Sequence, residues 1–451
     1  MTLERLQTVL IGTLMRAACI GAALTAASVA HAQCDQWDPF VIGAFNGVNG
    51  SVSATIVYQG DLVVAGSFTG GGGQTLNNIA RWNGSNWQPF VVNGNVGVNF
   101  AVMSLAIYND DLIAGGNFTT AGGITVNRIA RWDGATWHPF ESGGQIGVNS
   151  TVEALAVVGN ELIAGGTFAT AGGQTVNQIA RWNGTSWSPF AVGAAVGMNA
   201  NVRALGVHNG QLIAGGNFTT AGGLTVNRIA RWDGGTWQAY VVGGTTGIGG
   251  SGNEVFAIAV YNGQLHIGGN FSLTGGQTYN RIARWTGSAW AALISNGFNG
   301  IGGASAVRAL TVYDNQLIIG GAFSEAGGET ANGIVRWNGT VMIPFVVDGH
   351  NGVGPSNPTV RALTTHNGAL VVGGIFTTAG GQAASGIVRW GCSTTPVLGD
   401  LNDSGTVDVQ DLLILLGAWG TCPKKGPCPA DLNSSGAVDV QDLLILLANW
   451  G

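Results

Sequence analysis

The dipeptide Arg-Trp recurs seven times, with its tryptophan at Trp82, Trp132, Trp182, Trp232, Trp285, Trp337 and Trp390. Successive spacings are 50, 50, 50, 53, 52 and 53 residues, a period that signals a repeat architecture. One period holds four short β-prone runs: "VEALAVV" (152–158), "ELIAGGTF" (161–168), "NQIARW" (177–182) and "SWSPF" (186–190). The pieces between them, "GN", "TAGG" and "NGT", are rich in the Gly, Asn and Thr of turns. The first two runs are joined by "YNG", "HNG" or a relative, as at Tyr261-Asn262-Gly263, a strong hairpin signal.

Four antiparallel strands per unit and seven units predict an all-β fold, a seven-bladed β-propeller. A small sheet that is apolar on both faces cannot stand alone, so each must pack between two others. The seventh unit is incomplete. "GIVRWGC" (386–392) ends at Cys392 with no fourth run after it, whereas the segment "QCDQWDPF" (33–40) carries "WDPF", aligned with "WHPF" at 137–140. The N-terminal strand is therefore expected to be the fourth strand of the last blade, closing the ring. Counting back three residues from Trp37 gives Cys34, and counting on two from Trp390 gives Cys392. In an intact unit both offsets fall on one turn glycine, such as Gly134 between Trp132 and Trp137. A Cys34–Cys392 disulfide is predicted at the severed turn. Its chain-entropy contribution would be on the order of 5 kcal/mol.

Over residues 34 to 392 the repeat resembles the kelch motif in its order of features. An apolar strand ends in a Gly pair (Gly115-Gly116, Gly165-Gly166, Gly215-Gly216), and a strand with Trp132 follows, then Trp137 five residues on. It departs from that motif in having Trp in place of the more common Tyr in the third strand, and in the inserted F-x-x-A-G-G.

Before the repeat, Arg5 and Arg16 flank early apolar segments, "AACIGAALTAASVA" is an apolar core, and "AHA" (30–32) offers small residues for cleavage. Residues 1–32 read as a secretory signal with cleavage after Ala32. The apolar run is short of the roughly 20 residues of a spanning helix. A secreted, extracellular protein is expected, in a compartment where disulfides persist. Beyond the leader the cysteines are Cys34, Cys392, Cys422 and Cys428. Net charge is −6, only 9% of residues are charged, and the two lysines, Lys424 and Lys425, are adjacent. No clustered basic surface of the kind a nucleic acid requires is visible.

After a linker at 393–398, residues 399–451 hold a tandem duplication: "DLNDSGTVDVQDLLILLGAWG" (400–420) and "DLNSSGAVDVQDLLILLANWG" (431–451). Each opens with a 12-residue loop of EF-hand type. Side-chain ligands in the first are Asp400, Asn402, Ser404, Asp408 and Asp411; in the second they are Asp431, Asn433, Ser435, Asp439 and Asp442. Gly405 and Gly436 stand at the sharp turn, and Thr406 and Ala437 offer a backbone carbonyl. An all-oxygen set of this spacing predicts two calcium ions. A polar turn before a helix, with Asp as its cap, would explain one acid but not the whole pattern. Asp at position twelve, with a helix after each loop and none before it, resembles the dockerin type I module. That resemblance implies a small α-helical domain that folds on calcium and docks to a cohesin-like partner domain. Positions ten and eleven, Val409-Gln410 and Val440-Gln441, would bear on partner choice. The helices depart from cellulosomal dockerins in lacking Lys or Arg and in ending near Trp419 and Trp450. Cys422 and Cys428 are expected to close a small disulfide loop; zinc is the alternative, with two thiolates and no third ligand nearby.

Within the repeat, catalytic chemistry is hard to place. Arg81, Arg131, Arg181, Arg231, Arg284, Arg336 and Arg389 recur in register and read as structural, bonding loop carbonyls or stacking on a neighbouring blade's Trp. His138, His208, His266, His350 and His366 form no cluster in sequence and are expected at solvated turns or surfaces. Acids outside the pattern include Glu141, Glu153, Glu254, Glu325, Glu329 and Asp348; Glu325 and Glu329 share a loop. Long connections such as 241–254 and 346–359 are Gly-, Asn- and Ser-rich, and a ligand would be sought on that face and in the central channel. The favoured expectation is a secreted, non-catalytic propeller for binding or display, attached through the dockerin-like module, with carbohydrate as its ligand class and extracellular polysaccharide breakdown as its context. The alternative is a glycoside-hydrolase-type enzyme acting on the propeller, which needs two convergent carboxylates. A purely structural surface protein is the third.

Overall fold

The computed structural model describes residues 35–249, 253–274, 277–302, 306–355, 358–391, 399, 401, 407–422, 428, 430–433 and 435–450. The leader 1–32, Cys34, Cys392, the linker 393–398, and Asp400, Asn402, Ser404 and Thr406 lie outside the described residues.

Seven four-stranded antiparallel sheets account for the repeat. In the second sheet the strands are Val102–Tyr108, Asp111–Gly116, Ile129–Trp132 and Trp137–Pro139, in that order. The second strand of each sheet is the most buried: in that sheet every residue from Leu112 to Gly116 is buried. This is why it reads as a continuous apolar run and not as an alternation. The hairpin joining the first two strands needs φ > 0 at both central residues, and Asn262 (φ 49°) with Gly263 (φ 72°) supply it. The seventh sheet is assembled from both ends of the repeat. Its order is Gln36–Pro39, Ile387–Gly391, Ala369–Ile375, Thr359–His366, with Gln36 opposite Gly391 and Trp37 opposite Trp390.

Two contacts recur between successive sheets. The first is a close approach. A Cβ on Gly115 would lie 2.5 Å from Val152 Cγ1 of the next sheet. The same collision appears for Gly165 on Val202, Gly215 on Val255, Gly268 on Val307 and Gly320 on Val360. Gly373 of the seventh sheet repeats it on Val52 of the first, at 2.6 Å. The second contact is aromatic. Phe140 closes one sheet and sits 5.1 Å from Trp182 and 5.7 Å from Trp187 of the next, edge-on to Trp182. Phe40, Phe90, Phe190, Tyr240 and Phe345 do the same. Leu293 and Met342 replace ring partners between the fifth and sixth sheets. Such pairs contribute roughly 0.5–1.5 kcal/mol each beyond area burial.

The sequence expectation missed one layer. Between the second and third strands lies a two-residue hairpin, as Thr120–Ala121 with Ile124–Thr125, and another connects successive sheets, as Glu141–Ser142 with Gln145–Ile146. Val148 bridges to Ala171 of the next sheet's hairpin. The connections read as loops are therefore largely hydrogen-bonded, with strands too short to show any hydrophobic period.

The duplicated tail forms two helices, α1 (Val409–Gly417) and α2 (Val440–Ala448). Asp408 and Asp439 cap them by accepting from the Gln410 and Gln441 N–H groups, each at 2.7 Å. Gly420–Thr421 pairs with Ala437–Val438, and Val407 bridges to Trp450. Leu415, Leu446, Val407, Val438 and Ala430 form a small core. No helix among the described residues is long and apolar enough to cross a membrane.

Two predictions follow from this packing. Gly268→Ala should lose about 1–3 kcal/mol of stability by overpacking. Val307→Ala in the same chain should restore part of it, which denaturant unfolding of the two single variants and the double would reveal. The second concerns His266, which takes the place held by Ile113, Ile163 and Ile213 in other sheets and is 1% exposed. Burial pushes its pKa down to about 4, against the Gln264 carbonyl that holds Nδ1 at 3.0 Å. The unfolded chain thus binds a proton below about pH 6.5 that the folded chain takes up only near pH 4. Stability contributed by neutral His266 is complete above pH 6.5 and falls on acidification, by about 1.4 kcal/mol per pH unit at most. His266→Ile should flatten the melting temperature between pH 6.5 and 4.

Candidate functional site

Each first strand carries a β-bulge near its start. Pairing with the second strand skips one residue, between Val152 and Ala154 for example. The skipped residues are Ser53, Met103, Glu153, Arg203, Phe256, Arg308 and Arg361. A bulge frees its side chain from the ladder and re-aims it. All seven line one cavity of about 280 Å³ that is walled by the first strands of every sheet. The surrounding residues hardly vary: Val precedes each, and Ala follows in six cases and Ser104 in one. Packing is uniform here, while chemistry is not.

The charges fall on one side. Arg203 is held between two carboxylates, with Glu153 Oε2 2.9 Å from Nη1 and Glu254 Oε2 3.3 Å from Nε. Burial raises the Glu153 pKa and Glu254 adds to it, while Arg203 opposes both. Arg308 and Arg361 have no carboxylate within 4.0 Å among the described residues. Arg308 stacks over Phe256 at 4.8 Å, and Arg203 lies 5.8 Å from the same ring. Partial desolvation lowers the Arg308 pKa and the charges of Arg361 and Arg203 lower it further, while the Glu254 carboxylate opposes them. A second cavity of about 620 Å³ opens beside the first and shares Phe256 and Arg308 with it. Guanidinium groups in such a place bind oxyanions through paired N–H groups.

Sequence reading had singled out the channel, Glu153 and Glu254 but missed Arg203, Phe256, Arg308 and Arg361. The signal was present: aligning the seven units on the Val before the bulge shows one column that varies between fixed neighbours.

Other candidates separate. Glu325 lies opposite Thr330 and Glu329 opposite Ala326 in one two-residue hairpin. Neighbouring residues on a strand face opposite ways, so these two acids point to different sides and make no carboxylate pair. Glu141 and Asp348 are exposed on the hairpins between sheets. The expectation that the histidines are solvated needs correction for two of them. His266 is buried in its strand, and His366 is 5% exposed with Nε2 3.0 Å from the Gly60 carbonyl of the first sheet. His208 makes the same contact to Gly263, at 3.1 Å. His138 is half exposed on Asp133, whose carboxyl is held well below its usual range by the Thr136 and Ala135 N–H groups and by His138. The in-register arginines are structural but choose other partners than expected. Arg131 pairs with Asp111 of its own sheet at 2.7 Å, and Arg181 and Arg389 stand over Phe190 and Phe40, the rings that close their own sheets.

In the tail the Asp431 carboxylate stands beside Cys422 and Cys428, a third group where the sequence offered none, but the two sulfurs are joined as a disulfide and present no thiolates to zinc. Of the first loop only Asp408 and Asp411 are described, whereas the second loop has its full ligand set. Asp431 Oδ1 and Asn433 Oδ1 both accept from the Ser435 N–H at 2.9 Å, and Ser435 Oγ lies 3.0 Å from the Ala437 carbonyl. Hydrogen bonds within the loop thus tie positions one, three, five and seven together. Asp442 is fully buried beneath them and accepts from the Asn433 and Asp439 N–H groups at 3.1 and 2.8 Å. Asp411 is its equivalent, accepting from Leu401 and Asp408, each at 2.8 Å.

Residues 209–232 and 314–339 match the family described as "Domain of unknown function (DUF5122) beta-propeller". No curated protein sequence matches the chain. Among solved structures, the extracellular domain of BT4673 from B. thetaiotaomicron is similar with TM-score 0.51 and 13% identity, over 78% of this chain and 39% of that one. The present chain therefore spans well under half of that structure. The surface component PorZ of the type-IX secretion system of Porphyromonas gingivalis gives TM-score 0.48 and 14% identity over 80% and 49%. The WD40 propeller domain of Doa1 gives 0.47 and 15% over 80% and 98%. With its repeated four-stranded sheets, this chain is a β-propeller repeat protein, similar in two segments to that propeller family.

Proposed function

We propose that the chain is a secreted binding propeller of seven blades, closed by its N-terminal strand. A calcium-dependent, dockerin-like tail attaches it to a cohesin-like partner, and carbohydrate is its ligand class. The observation that carries the attachment half is a duplicated apolar surface. Val409, Leu413 and Leu416 of α1 are 58%, 63% and 47% exposed, and their counterparts Val440, Leu444 and Leu447 of α2 are 57%, 61% and 47% exposed. Six large apolar side chains at matching positions on two helices, in a unit this small, mark a docking surface. The ligand spacing of the second loop supports calcium there, with Asp431, Asn433, Ser435, Ala437, Asp439 and Asp442 as its holders. The duplicated sequence extends this to Asp400, Asn402, Ser404, Thr406, Asp408 and Asp411. Bound calcium would neutralise loop acids next to the helix starts and so order α1 and α2 together.

Ring closure is supported by the pairing of Gln36 with Gly391 and by Gly373 against Val52. Cys34 lies two residues before that pairing and Cys392 one after it, so the staple between them belongs to the same reading. Export agrees with the Cys422–Cys428 bond, since such bonds persist in oxidising compartments.

Three measurements test this reading. Chelation should abolish the helical circular dichroism of the tail while leaving the main melting transition of the propeller in place; unchanged tail signal would remove the calcium assignment. Calorimetric titration against a panel of cohesin domains should give calcium-dependent binding. Leu413→Asp with Leu444→Asp should weaken it at least a hundredfold, as removal of central apolar anchors does. Non-reducing peptide mapping should recover Cys34 linked to Cys392.

A further inference from the structure

We propose that the channel mouth across the fifth, sixth and seventh sheets binds an acidic saccharide, with Arg308 and Arg361 holding its carboxylate or sulfate group. The proposal rests on the reading of the propeller as a carbohydrate-binding scaffold and names the ligand chemistry of that scaffold.

Four observations lead to it. The bulge position is the one place in the repeat where packing makes no demand, because its residues leave the strand ladder and enter the lumen. Of its seven occupants three are arginines, on the fourth, sixth and seventh sheets, and only Arg203 is paired with acids. Arg308 and Arg361 therefore face the lumen as two guanidinium groups with no carboxylate within 4.0 Å among the described residues, and Arg361 acts on Arg308 as a like charge. An oxyanion between them would relieve that repulsion and accept from both forks. The stacking of Arg308 on Phe256 holds its guanidinium plane, which lowers the ordering cost of binding.

The adjoining cavity supplies the rest of the ligand. Its volume of about 620 Å³ lies within the range of small-ligand sites. Its walls mix apolar groups with amide and hydroxyl groups: Phe256 and Pro358 beside Asn270, Asn332 and Thr359. Sugar rings present C–H faces and hydroxyl edges together, and this alternation suits both. Because Arg308 borders both cavities, one saccharide unit can place its acidic group on the arginines while its neighbour lies against Pro358.

The test uses the full chain in calcium buffer at moderate salt. Calorimetry compares a uronate oligosaccharide, a sulfated oligosaccharide, a neutral oligosaccharide of the same length, and inorganic sulfate alone. One acidic oligosaccharide should bind measurably more tightly than either the neutral one or free sulfate, with affinity falling as salt rises. Which of the two binds identifies the carboxylate or the sulfate ester as the recognised group. Arg308→Gln and Arg361→Gln should each weaken binding about tenfold or more, and the double variant should abolish it. Neither side chain is paired to an acid, so the melting temperature should hold and loss of binding cannot be traced to misfolding. Binding of acidic saccharides unchanged in the double variant would overturn the proposal, as would equal affinity for free sulfate. Tight binding of the neutral oligosaccharide alone would overturn it too, while leaving the scaffold reading in place. Failure of every saccharide, with cohesin binding by the tail retained, would remove both the proposal and the carbohydrate reading.

Discussion

The structure depends on how closely two sheets can approach along the second strand. A glycine there lets the valine of the following sheet pack where a Cβ would stand, and six of the seven junctions use it. The first sheet has Ala65 at the same place. Outside this contact the aromatic triads, Phe140 with Trp182 and Trp187 and their equivalents, fill the wider part of the wedge. The inner edge is set by the absence of side chain and the outer edge by its bulk. That taper lets flat sheets stand radially about an axis.

The same geometry separates packing from recognition. Inward-facing valines and alanines are nearly invariant because each is confined by the adjacent sheet. One residue earlier or later the ladder would constrain the next side chain as well, but the bulge removes it from pairing. A uniform scaffold thereby presents seven positions free of packing duty, gathered around one opening. The unequal charges at Glu153, Arg203, Arg308 and Arg361 occupy these positions. His266 shows the opposite case, a titratable group in a packed position where burial favours its neutral form.

The tail follows another logic. Its core is small, centred on Leu415 and Leu446, and its buried acids Asp411 and Asp442 are held by backbone N–H groups from the loops. Most of its apolar helix surface faces outward. A unit with so little interior draws only modest stability from burial of its own side chains.

Much of this was legible in the order of residues. The seven Trp spacings, the Asn-Gly hairpins and the turn glycines set the strand count per unit, since local periodicity and turn chemistry are properties of short segments. "WDPF" at the start and "VRWGC" at the end announced a shared sheet. The two-residue hairpins were invisible because two residues have no period. Arg203, Phe256, Arg308 and Arg361 went unread because each is ordinary within its own strand. They become a site only when strands about 50 residues apart are wrapped around one axis, and the bulge that turns them inward arises from pairing between strands. Convergence of distant residues is a consequence of packing in space, and no single stretch of chain contains it.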